Sequence, residues 1–206
     1  MPRIVDAEQR RAEITDAAAR LIARSGIESV TMREVAAEAG WTTGAVTHYF
    51  TDKRELLLQT FQESLARRRS LRPPEATTPA IERLRASLEG ALPLDDDRRR
   101  HWLVTLTCCT RATGDEQLAA AQRDAYREFR AYVAALVTDS GFGRGPAARS
   151  LAERLISFAD GIAVQALFDP DSWPPARQRD MLDAMLAGSG FPGTPDGRGR
   201  DRRKVT

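Results

Sequence analysis

The sequence predicts an all-α protein of about nine helices, a small three-helix N-terminal head followed by a larger helical domain. Two observations carry that prediction. Apolar residues recur at three- and four-residue spacing in one segment after another, and nowhere does the chain show the alternation of a half-buried strand. Between the periodic segments stand Gly26, Gly40, Gly114, Pro146 and Pro174, where helices stop or start.

Taken in order, a first helix over about residues 6–24 carries Ile14, Ala17, Ala18, Leu21 and Ile22 on one face, and Gly26 ends it. Thr31 with Glu34 forms a capping box, and Met32, Val35, Ala36 and Ala39 continue at helical spacing to Gly40, whose left-handed backbone turns the chain. Trp41 follows as an apolar plug. Thr42 then caps a short third helix in which only Val46 and Phe50 are obvious core residues. Its outward residues Thr43, Gly44, Thr47 and His48 are small or uncharged hydrogen-bonding groups that let a helix sit deep in a groove. Tyr49 and Lys53 beside them suit phosphates, and Thr31 and Arg33 of the second helix complete the candidate DNA-binding set. Two short helices around a glycine turn are a helix-turn-helix, with residues 42–49 as the recognition helix. A fourth helix, capped by Asp52 with Glu55 and carrying Leu57, Phe61, Ser64 and Leu65 on one side, spans about 52–70 and connects the head (residues 1–57) to the rest.

In order and spacing, Ala36, Gly40, Thr42, Gly44, Val46, Tyr49, Phe50, Lys53 and Leu56 resemble the DNA-binding segment of the tetracycline-repressor (TetR) family. Thr47 stands where many members carry tyrosine, and Trp41 where a smaller valine is usual. The run His48-Tyr49-Phe50 after a small hydroxyl residue is similar to the betaine-regulator subgroup. The resemblance implies a ligand-responsive transcriptional regulator, most often a repressor, acting as a homodimer on an approximately palindromic double-stranded operator and answering a small-molecule effector.

The proline-rich run from Arg72 to Pro79 breaks the periodicity and opens a second domain, residues 73–188. Its fifth helix covers about 79–92 with Ile81, Leu84 and Leu88 inward; the sixth, about 95–112, opens on three aspartates that suit a helix N-terminus. A seventh follows at about 115–138. After the turn at 141–146 an eighth runs to about 168, and a ninth ends near Gly188. Residues 189–206, rich in Gly, Pro and Arg, read as a disordered basic tail whose Arg198, Arg200, Arg202, Arg203 and Lys204 form a solvated charge run.

The eighth helix is apolar on two sides: Leu151, Leu155, Phe158 and Ile162 on one, Ala152, Ile156, Ala159, Ala163 and Ala166 on the other. Such a helix is either interior to one chain or shared between two copies. The resemblance implies the second, with the small-residue stripe and Met181 and Met185 of the ninth helix at the dimer seam; residues 160–170 are also similar to the betaine-regulator subgroup. The family further implies a pocket among the fifth to eighth helices. Candidates for it are Trp102, Thr105, Leu106 and Cys109, then Tyr126, Phe129 and Arg130, and finally Phe158, Asp160 and Ile162. Asp160 among apolar neighbours needs a partner, an arginine across the interface or a cationic ligand.

Charge and composition exclude several classes. Residues 1–72, the head with its connecting helix, hold 12 basic and 10 acidic groups, too balanced for a sequence-independent nucleic-acid coat, so affinity must come from a few placed contacts. No apolar run is long enough to span a bilayer and no signal peptide is apparent, which places the protein in the cytoplasm without a membrane partner. Adjacent Cys108 and Cys109 imply no structural disulfide, and His101 with Cys108 are too few for a metal site. An all-α di-metal enzyme would need Glu-x-x-His pairs, and neither His48 nor His101 has a glutamate three residues before it. No cofactor is expected. A helical interaction module without DNA binding conflicts with the helix-turn-helix.

Overall fold

The computed structural model describes residues 3–70 and 78–191, and every regular element among them is an α-helix. Most of the predicted proline-rich boundary and the basic tail beyond residue 191 lie outside the described residues. The helices are α1 (Arg3–Ser25), α2 (Met32–Ala39), α3 (Thr43–Tyr49), α4 (Lys53–Ser70), α5 (Ala80–Gly90), α6 (Asp96–Arg111), α7 (Glu116–Asp139), α8 (Pro146–Phe168) and α9 (Pro175–Gly188).

Local chemistry sets these boundaries. Thr31 Oγ1 accepts from the Glu34 N–H at 3.2 Å while the Glu34 carboxylate accepts from the Thr31 N–H at 2.9 Å, a complete capping box. Gly40 closes α2 at φ 74°, where a side chain would be strained. Asp52, Asp95 and Asp115 each accept backbone N–H groups at the starts of α4, α6 and α7.

Helix α1 packs on α2, α4 and α6, and α4 packs on α1, α6 and α7. The head core gathers Ile14, Ile22, Val35, Val46, Phe50 and Phe61, and it continues into Val104 and Cys108 of α6 and Leu118 of α7. Head and body therefore share one apolar cluster. Along α4, Leu56, Leu57, Thr60, Phe61, Ser64 and Leu65 are all buried, because α1 and α6 cover two sides of it. The hydroxyls of Thr60 and Ser64 donate to the carbonyls of Leu56 and Thr60, which makes their burial tolerable. Both ends of α4 are clasped to α7: Arg54 donates twice to Asp115, at 3.0 and 3.2 Å, and Arg69 donates to Glu128 at 2.8 Å. Arg54 holds the Asp115 carboxyl below the usual carboxylate range, helped by N–H groups of α7.

The structure corrects the expected dimer seam. Ala152, Ile156, Ala159, Ala163 and Ala166 are all buried within their own chain, and the half-buried Met181 and Met185 pack against the body core. The alanines let neighbouring helices of the same chain approach α8 closely, as α5, α6, α7 and α9 do. Of the bulky stripe, Leu151, Leu155 and Ile162 are buried but Phe158 is exposed. The uncovered strip along the middle and end of α8 comprises Glu153, Arg154, Ser157, Phe158, Gly161, Gln165 and Phe168, with Val164 half-buried beside it. Phe158 and Phe168, 37% and 77% exposed, are the large apolar residues left exposed among those described.

Ala163, fully buried beside Trp102 and Leu167, gives a test of this correction. Ala163→Arg should cost about 3–5 kcal/mol by burying an unpaired charge. In urea denaturation the loss should persist at dilutions that separate any dimer, whereas a seam residue would lose its effect there.

Candidate DNA-binding face and effector cavity

The recognition helix α3 is seated by Val46 and by Phe50 just beyond its end, both fully buried. Thr42 Oγ1 accepts from the Ala45 N–H at 3.2 Å, leaving its hydroxyl hydrogen to point outward. Thr42, Thr43, Gly44, Thr47 and His48 are exposed, as are Thr31 and Arg33 on α2. The Thr47 hydroxyl donates to the Gly44 carbonyl at 3.1 Å, so Thr47 presents its methyl group and oxygen lone pairs rather than a donor. Tyr49 is half-buried, edge-on to Trp41 at 6.4 Å and to His48 at 5.2 Å. Arg10 of α1 lies over the Trp41 ring at 5.3 Å, so the bulky plug is covered by a cation from the first helix. Lys53 opens α4, with Nζ donating a long 3.4 Å bond to the Glu28 carbonyl. Thr31 spends its hydroxyl oxygen on the α2 cap. Gly44 lies inside the helix with nothing in the chain near the place of a Cβ, so the fold itself does not require glycine there.

In the body a cavity of about 50 Å³ lies between α4, α5, α7 and α8. Leu65 and Arg69 of α4, Ser87 of α5, Tyr126 and Phe129 of α7 and Asp160 of α8 are among its walls. The Tyr126 hydroxyl donates to Asp160 Oδ2 at 2.7 Å, supplying a partner for the mid-helix carboxylate. Gln122, also in the wall, holds a buried side-chain oxygen with no hydrogen-bond partner. Of the expected lining residues the structure brings together Tyr126, Phe129 and Asp160. Trp102 stands behind the wall, its indole donating to the carbonyl of the lining residue Ala91 at 2.6 Å. Thr105 is buried with its hydroxyl on the His101 carbonyl, Ile162 belongs to the body core, and Leu106 packs on the cluster of Trp102, Ala163 and Leu167. Cys109 is half-buried away from the wall, Arg130 is exposed with its guanidinium over Tyr126, and Phe158 faces outward. The wall mixes two aromatics of α7, Tyr126 and Phe129, with small and polar residues such as Ser87, Ala91, Gln122 and Ala125. The spacing of Gln122, Ala125, Tyr126 and Phe129 along one face of α7 is the signal in the sequence that marks it.

Comparison with known proteins decides the identity of this arrangement. The family described as bacterial regulatory proteins, tetR family, matches residues 14–60, and the BetI-type transcriptional repressor C-terminal family matches residues 80–189. The chain belongs to the TetR family. The transcriptional regulator PksA of Bacillus subtilis is 30% identical over 180 residues, which cover 82% of this chain and 84% of that protein. BetI of Agrobacterium fabrum is 42% identical over 65 residues, 32% of each chain. Among solved structures, a putative regulator from Saccharomonospora viridis in complex with choline superposes with a TM-score of 0.78 at 26% identity, covering 87% of this chain and 96% of that one. A Rhodococcus regulator superposes at 0.74 and 29% identity, covering 86% and 94%. TetR-family members are transcriptional regulators, as are the relatives named above.

For this TetR-family head, Gly44 separates folding from recognition. Gly44→Ala should hold or raise thermal stability, by up to about 1 kcal/mol, since alanine is the better helix former. The same change should lower operator affinity in fluorescence anisotropy, because the added methyl stands where the groove floor must approach.

Proposed function

We propose that the protein is a homodimeric transcriptional repressor released from its operator by a small amphipathic molecule. The observation that carries this reading is that Leu65 and Arg69, at one end of α4, help wall the cavity, while Lys53 at the other end adjoins the recognition helix. At about 1.5 Å rise per residue, α4 spans roughly 24 Å between Lys53 and Arg69. The cavity is far smaller than the few hundred Å³ or more of a typical ligand pocket, so an effector must part its walls. Moving α4 off α7 strains the clasps at Asp115 and Glu128 and turns the head. A ligand that binds the parted form more tightly lowers DNA affinity by its differential affinity, about 1–3 kcal/mol in typical cases, and the operator lowers ligand affinity by the same factor.

On DNA, Thr43 and Thr47 read base edges, with the Thr47 methyl suited to a thymine methyl, and Thr42, Tyr49 and Lys53 hold phosphates. Lys53→Ala should weaken binding to all sequences alike and reduce the salt slope by about one. An unchanged slope would refute the docking. Titration calorimetry of an effector with and without operator tests the coupling, and choline is the first probe because of the Saccharomonospora viridis complex. Equal affinities in the two titrations would mean that cavity and head are uncoupled.

Two recognition helices must reach successive major grooves about 34–36 Å apart, which needs a fixed two-fold pairing. The exposed strip of α8 supplies it. Gly161 lies in mid-helix on that strip with open space around it, at a conformational cost that its own chain does not repay and a close-packed second helix does. Gly161→Gln and Phe168→Asp should each leave the monomer folded, turn the chain monomeric in light scattering at micromolar concentration, and lower operator affinity. A wild-type monomer under those conditions would sink the pairing.

A further inference from the structure

The two histidines of the chain occupy opposite environments. His48 is exposed on the recognition helix, while His101 is 5% exposed at the seam where α6 meets α1 and α4. His101 Nδ1 lies 3.1 Å from Ser64 Oγ. Ser64 has one hydroxyl hydrogen and donates it to the Thr60 carbonyl at 2.9 Å, so its oxygen accepts and Nδ1 carries the proton of the neutral ring. Nε2 is then a bare lone pair, buried and without a hydrogen-bond partner. Asp97 Oδ1 lies 3.6 Å from it, beyond hydrogen-bond reach and unable to donate. A proton on Nε2 finds no acceptor within reach in this packing: the ring would donate to Asp97 only after a shift that closes the gap, while still donating to Ser64 through Nδ1. Beside the ring a cavity of about 150 Å³, walled by Thr15 and Asp16 of α1 and by Thr60, Glu63 and Arg67 of α4, leaves room for the shift.

We propose that His101 is a proton-binding site that links pH to operator binding, because proton uptake at Nε2 repacks α6 against α1 and α4. The inference goes beyond the repressor reading and rests on it only where DNA is concerned. Charged groups facing the ring are Asp97 and Arg100 from α6, Asp16 from α1, and Glu63 and Arg67 from α4. Burial pushes the imidazole below its ordinary value; Asp97 pulls it up, Arg67 and Arg100 push it down, and Asp16 pulls it up. The packed seam therefore holds a neutral ring. As pH falls through the ordinary histidine range, a conformer that solvates the ring or closes the gap to Asp97 takes the proton first, so acid disfavours the packed seam and alkali does not. Because α1 and α4 are head helices, the head responds, and by linkage operator binding shifts the affinity of His101 for its proton.

Imidazole nitrogen NMR on the full chain reads this directly, since two histidines give two sets of signals. The expected result is an Nδ1–H tautomer at His101 in the neutral state, and a titration that moves backbone amide signals of α1 and α4 as well as α6. Adding operator should shift its midpoint by about half a unit or more, equivalent to a roughly threefold pH effect on operator affinity. Between about pH 7.5 and 5.5 that threefold component should be lost in His101→Gln. An Nε2–H tautomer, amide shifts confined to α6, or a midpoint unmoved by operator would each overturn the proposal. If His101→Gln fails to fold, the wild-type measurements still decide. A chain that binds no operator at either pH would refute the repressor reading, and the tautomer and the spread of amide shifts in the free chain would then decide whether the seam takes up a proton as described.

Discussion

Helix α4 is covered by α1 on one side and α6 on another, and its ends are ion-paired to α7 at Asp115 and Glu128. This confinement governs how the rest of the protein works. The recognition helix has few core anchors of its own, so its orientation is inherited from α2 and the head core on which it packs rather than set by α3. The exposed ion pairs contribute little to stability, since water screens them. Their value lies in register, because they fix where along α7 the ends of α4 stand, while the buried face of α4 supplies the adhesion.

The head combines a nearly charge-balanced surface with a recognition helix of threonines and a glycine. Such a surface has little hold on DNA through phosphates alone, and affinity depends on the fit of two copies at a set separation. Geometry, more than charge, is therefore the quantity that an effector has to disturb. A change in tilt of one helix suffices, because two heads displaced together lose both half-sites at once.

Much of this was legible in the sequence, for reasons that differ from element to element. The head was readable because its boundaries are chemical: the Thr31–Glu34 box, the left-handed Gly40 and the caps at Thr42 and Asp52 act over a few residues and leave the same trace in sequence and structure. The two stripes of α8 were readable as apolar, but apolarity does not say whose atoms cover it. Five buried side chains assigned to a partner are covered by helices of their own chain, and the face left open is marked instead by an unneeded glycine and two stranded phenylalanines. The cavity was half legible. Tyr126, Phe129 and Asp160 line it, whereas Trp102 and Ile162 lie in the packed clusters behind it, because helical spacing marks an inward face without telling a cavity wall from a filled core.

The apolar cluster that runs from Ile14 through Phe61 into Val104, Cys108 and Leu118 bears on how such a protein can change over time. A head severed near its nominal boundary would leave part of its interior open to water, so the reader of DNA and the sensor of small molecules are not separable goods. Exchange of heads between relatives has to carry the matching surface of α6 with it. On the proposed reading, new operator preferences would be reached by altering the exposed residues of α3, and new effectors by altering the cavity wall, while the seam between them stays fixed.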